Sequence, residues 1–176
     1  DKERICEANE SIAVATTKAF SAQLGVAYVL SAYLAQQKGL MSDDEIKSIT
    51  NEIRMLPEKI NKALECKKIT QTLSKHIATK EHIFFIGRGI DYPLCLEGSL
   101  KLKEISYIHC EGYGAGELKH GTISLIEEGT VVVAIATDNA LFGKMVSNIK
   151  EVHARGAYVI AVVKEGTKGI EEIADE

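Results

Sequence analysis

The sequence predicts an α/β fold in which a parallel sheet is covered by helices on both faces. Two observations carry this. Residues 130–136 and 158–163 are continuous apolar runs rich in β-branched side chains, the pattern of strands buried on both faces. Segments of helical period separate these runs from one another and from a shorter apolar run at 83–86, and strands alternating with helices give right-handed parallel crossovers. A chain of 176 residues is long enough for one well-cored domain with additions.

In chain order, residues 1–12 open without an initiator Met or a recognisable cap, so the chain is expected to be a cut piece of a longer protein. Thr16 or Thr17 is positioned to cap a helix running to about Gln37, with Gly39 as its stop. Its stretch 19–35 is mostly apolar. Ser21, Gln23 and Ser31 interrupt that run, and it falls at the short end of the roughly 17 to 25 residues a membrane span needs; a buried helix is expected, and no membrane contact. Ser42 and Glu45 make a capping box, followed by Ile46, Ile49, Ile53 and Leu56 at helical spacing until Pro57, where a break is expected. A third helix is predicted from there to about His76, bent near Lys67-Lys68. Strands are predicted at 82–86, 109–113, 130–136 and 157–163. Asn139 is placed to cap a helix that carries Leu141, Met145, Ile149 and Val152 on one side and ends at Gly156.

The chemistry-bearing stretch is 83–121. Its strand passes through Gly87-Arg88-Gly89 into a helix with Pro93 in the first turn, so free amides at the helix start point beyond the strand end, where anions or phosphosugars are accommodated. On that helix Glu97, Lys101 and Glu104 share one face, and Leu94, Gly98, Leu102 and Ile105 form a separate apolar stripe. Two readings stand side by side: an exposed salt-bridge ladder, or a carboxylate held beside a lysine in a cleft as a general base. Gly112, Gly114 and Gly116 imply an irregular segment lying close to other backbone, and Glu117 and His120 share a face of one short turn. Such a histidine handles protons or is simply hydrogen-bonded; with no second Glu-x-x-His pair in the chain, no metal is expected.

A net charge of −4 supplies no basic footprint, so nucleic acid is not expected as a partner. Cys6, Cys66, Cys95 and Cys110 show no CxxC pair and no zinc spacing, as suits reduced thiols in a cytoplasmic protein, and no signal peptide is evident.

The run GRGIDYPLCLEGSLKLKEISYIHCEGYGAGELKHG resembles the second sugar-isomerase (SIS) domain of the glutamine:fructose-6-phosphate aminotransferase family, and VATTKAFSAQ resembles that family's linking segment. The resemblance implies a three-layer SIS domain with a five-stranded parallel sheet, its fifth strand beyond Glu176 or supplied from elsewhere. Residues 1–40 then correspond to the end of a first SIS domain and a linking helix, and 41–176 to the second SIS domain without its C-terminal tail. The implied activity is conversion of fructose 6-phosphate and glutamine-derived ammonia to glucosamine 6-phosphate, with no cofactor, in a homodimer, the glutamine being handled by a domain outside this chain. By the resemblance Glu104 is the base that moves a proton between carbons 1 and 2, Lys101 stands beside it, and Glu97 is a nearby carboxylate. His120 opens the sugar ring from the neighbouring subunit. Val14 and Thr16 contact the sugar, with Thr16 where the family more often has Ser. Alternatives are a non-catalytic phosphosugar-sensing SIS module of a regulator, or a related phosphosugar deglycase or isomerase.

Overall fold

A computed structural model of the chain describes residues 14–176. The chain divides into two compact units, Asp1–Leu73 and Ser74–Glu176.

The first unit is helical. Helix α1 (Thr17–Gln37) is followed by α2 (Asp43–Ala63), a 3-10 turn at Leu64–Cys66, and α3 (Lys67–Ile77), whose last turn belongs to the second unit. Ser42 caps α2 as expected: its hydroxyl accepts from the Glu45 N–H, and the Glu45 carboxylate accepts from the Ser42 N–H at 2.8 Å. Three expectations are corrected. Thr16 sits at the cap position of α1 without capping it, because its hydroxyl donates to the Val14 carbonyl instead. No described residue of α1 is buried; α2 packs alongside it near Val29, Ala32 and Tyr33, and one neighbouring helix cannot enclose a helix that is apolar all round. Pro57 lies inside α2 rather than ending it, since a proline removes one backbone bond while the flanking bonds persist; the break falls at Leu64–Cys66, next to the predicted bend. No helix among the described residues is long and apolar enough to cross a membrane.

The second unit contains β1 (His82–Gly87), α4 (Asp91–Ser106), β2 (His109–Gly114), β3 (Val131–Ala136), α5 (Phe142–His153) and β4 (Tyr158–Val163). All four predicted strands are present, and they form one parallel sheet in the order β2-β1-β3-β4. Alternation along the strands sends Phe84, Ile86, Val132, Ala134 and Val159 to the face where Met145, Ile149 and Val152 of α5 complete the main core. The opposite face receives α4. There Gly87 and Gly112 let the helix approach closely: a Cβ on either would stand 2.9 Å from backbone atoms of Asp91 or Cys95. The result is three layers, helix, sheet and helix.

Gly112 and Gly114 belong to regular strand β2, so the irregular segment expected there begins only after Gly114. The close approach to other backbone is nevertheless real at Gly112. Helix α5 starts at Phe142; Asn139 does not cap it, and its side chain accepts from Lys164. On α4 the buried face is Asp91, Cys95 and Ser99, whereas Leu94 and Ile105 of the expected stripe are exposed. The fifth strand is not among the described residues. The edge of β4 is partly satisfied by the C-terminal stretch, with the Asp175 N–H donating to Val159 at 2.9 Å and the Ala161 N–H to Glu176 at 2.8 Å.

Candidate active site

Helix α4 runs antiparallel to the strands it joins, beginning above the C-terminal end of β1 and descending to the start of β2. Its upper end is pinned. The Asp91 carboxylate, buried at 1 % exposure, accepts from the Thr137 hydroxyl at 2.5 Å, the Thr137 N–H at 2.8 Å and the Asp138 N–H at 3.1 Å. A charge can be buried there because every bond it makes is to a donor, and because the first turn of a helix favours an anion.

Lower on the helix, Lys101 stands between two carboxylates, Nζ 2.7 Å from Glu104 Oε2 and 3.5 Å from Glu97 Oε1. The side chains of Lys101, Glu97 and Glu104 are 19 %, 22 % and 26 % exposed, against 75 % and 94 % for the surface pair Lys47–Asp44. The three side chains are thus largely shielded, unlike a fully exposed surface pair. The hydrogen bond that Lys101 donates to Glu104, aided by the negative charge of Glu104 and Glu97 and opposed by some desolvation, pushes the Lys101 ammonium above the ordinary lysine range. Lys101 is therefore a fixed cation at neutral pH, and only the two carboxylates of the cluster are able to accept a proton.

His120 closes a short 3-10 turn, Leu118–His120, and is exposed; its N–H donates to the Glu117 carbonyl at 3.0 Å. It follows the C-terminal end of β2. Glu104 lies near the opposite edge of the sheet, displaced from the pinned end of α4 by roughly 20 Å at 1.5 Å per residue. The structure thus gathers Glu97, Lys101 and Glu104 and sets His120 of the same chain at the other edge. Val14 and Thr16 belong to the first unit; Val14 is exposed, and the Thr16 hydroxyl lies 3.1 Å from its carbonyl. Among the described residues no group of three or more His, Cys, Asp or Glu side chains is arranged to hold a metal ion.

Sequence reasoning missed the contacts that hold the C-terminal edge of the sheet. Arg88 of the glycine turn donates from Nε to Asn148 Oδ1 at 2.8 Å, Asn148 in turn donates to Glu151 at 3.2 Å, and Gly116 leaves room for the guanidinium, which a Cβ there would meet at 2.5 Å. Together with Asp91 these bonds fix the loops at the C-terminal edge. Their partners lie 46 and 60 residues apart in the chain, beyond any spacing rule. The one local signal was an Asp in the first turn of a helix following a glycine turn.

The profile of the SIS domain family matches residues 76–176. The chain is 50% identical over 169 residues to a glutamine–fructose-6-phosphate aminotransferase (isomerizing) of Clostridium tetani, covering 96% of this chain and 28% of that protein. It is 51% identical over 168 residues to the protein of the same description from Clostridium acetobutylicum, with the same coverage. Among solved structures it is similar to the C-terminal domain of glucosamine-fructose-6-phosphate aminotransferase from Francisella tularensis, with a TM-score of 0.88, 38% identity, and coverage of 95% of this chain and 46% of that one. The chain spans a little over a quarter of the length of the curated relatives it matches.

Proposed function

We propose, because the chain belongs to the SIS domain family, that it forms the isomerising part of an enzyme that makes glucosamine 6-phosphate from fructose 6-phosphate and ammonia released from glutamine. The observation that carries this is the recessed Glu97–Lys101–Glu104 cluster, on a chain about half identical to aminotransferases of that description. In this account residues 41–176 are the second SIS domain, residues 1–40 link it to a first one, and glutamine is cleaved in a further domain. The enzyme works in the cytoplasm.

The isomerisation moves a proton from carbon 1 to carbon 2 of the sugar, where the nitrogen is attached, through an enolamine intermediate, and one carboxylate positioned over both carbons can serve for both transfers. Glu104 has that role. Lys101 holds one Glu104 oxygen, so the other takes the proton, and the fixed ammonium offsets the negative charge that develops on the neighbouring sugar oxygen. Glu97 orients Lys101 from its other side. Val14 and Thr16 contact the sugar, the threonine through its hydroxyl. His120 opens the sugar ring in the site of the partner subunit of a homodimer, a division of labour supported by its separation from Glu104 along its own chain.

The test is Glu104→Gln in the full-length protein, followed by exchange of the carbon 1 proton with solvent. Gln keeps the shape and cannot accept a proton, so exchange should fall roughly 10² to 10⁴-fold while sugar binding persists. Exchange within a few-fold of the parent would reduce the cluster to a surface ladder.

A further inference from the structure

The first residues of β1 and β2 are both histidines, and the parallel register sets them directly opposite one another: His82 pairs with His109, Ile83 with Cys110, Phe84 with Glu111. Residues paired in this way project from the same face, so both imidazoles stand side by side on the face that α5 covers mainly over β3 and β4. Their Nδ1 atoms are 3.4 Å apart and the rings meet nearly edge to face, at 83°. Two nitrogens each about 2.0 to 2.1 Å from a tetrahedral metal ion stand roughly 3.3 Å apart, which is the spacing already present.

We propose that His82 and His109 form a two-histidine site for a divalent transition-metal ion of the zinc, nickel or copper class, bridging the edge strand β2 to β1. Imidazole donors suit these ions over magnesium or calcium, and water completes the coordination. A third group prepares the site. Glu111, two residues after His109 on the same face of β2, holds Oε1 3.5 Å from His109 Nε2. A carboxylate beside Nε2 favours the proton on that nitrogen and leaves Nδ1 as the lone-pair donor, as carboxylates behind metal-binding histidines do. Glu111 is itself held by the Tyr113 hydroxyl. Both histidines are exposed, so their rings are free to reorient toward a shared ion without disturbing the core. The site lies at the N-terminal edge of the sheet and is assigned no part in the isomerisation.

The experiment titrates the chain with Ni²⁺ and with Zn²⁺ as chlorides, by calorimetry and by thermal unfolding. The parent should bind one ion saturably and unfold at a higher temperature with it. His82→Gln and His109→Gln should each weaken binding at least tenfold, since loss even of a supporting carboxylate typically costs about 10 to 100-fold. His153→Gln, on α5, should leave affinity unchanged. Because both rings are exposed, the two variants should unfold like the parent when no metal is present, and either one alone decides the matter if the other fails to fold. Absence of saturable binding by the parent, or parent-like affinity in His82→Gln or His109→Gln, would overturn the proposal.

Discussion

The carboxylate of Asp91 and the hydroxyl of Thr137 stand 2.5 Å apart, joining the first turn of α4 to the loop that leaves β3. Two backbone N–H groups, of Thr137 and Asp138, end on the same carboxylate. One side chain therefore sets where the helix that carries Glu97, Lys101 and Glu104 sits against the sheet. Asp91→Ala strands these donors in a buried place and should lower stability by about 2–4 kcal/mol, the scale of unsatisfied buried groups that had bonded to a charge. Urea unfolding of the second unit measures it. A variant with the parent's midpoint would mean that the lock is idle.

Tyr107 ends α4 in a left-handed conformation, φ 61°, with its N–H bonded to the Lys103 carbonyl at 3.1 Å and its side chain 94 % exposed. Nothing in the described fold holds the ring, so the backbone strain is not offset by packing. Tyr107→Gly should raise stability by about 1 kcal/mol, the usual cost of a side chain in this region. Thermal unfolding would show the gain, and a lower midpoint would reveal an unrecognised contact of the ring.

Burial raises the Cys95 thiol to about 12, with a smaller push from the Asp91 charge, and burial also raises Cys110. Both keep their protons where an unfolded thiol would lose its own. Their contribution to stability is full below about pH 8.5 and is lost as pH climbs beyond it. Iodoacetamide at pH 8 should label exposed Cys66 and spare Cys95 and Cys110 until denaturant is added, as mapped by peptide mass spectrometry. Labelling of Cys95 in the native protein at the pace of Cys66 would contradict this. Cys6 lies outside the described residues.

Strands were the most legible elements. Runs such as 130–136 are apolar on both faces, and only a sheet enclosed between two helical layers accommodates them. The Ser42 capping box was equally plain because both partners sit within one turn. Reading failed where the outcome depended on distant atoms. Leu94 and Ile105 belong by period to an apolar stripe, yet the close seat that Gly87 and Gly112 provide turns Asp91, Cys95 and Ser99 inward instead. Pro57 was taken for a terminator, whereas a long helix with a sound cap absorbs one missing bond. Glu97, Lys101 and Glu104 were legible as a cluster because i,i+3 and i,i+4 spacing is local; their shielding is a property of the folded unit.

The separation of Glu104 and His120 along one chain leads to the most direct test. If each site takes Glu104 from one subunit and His120 from the other, full-length Glu104→Gln and His120→Ala are each inactive alone yet complement when mixed. Random reassortment makes half the dimers mixed, and each of these combines both lesions in one site and leaves the other intact. Isomerase activity is measured before and after subunit exchange, with exchange verified by mass spectrometry. The expected result is recovery to roughly a quarter of the parent activity; complete exchange with no recovery would contradict the account.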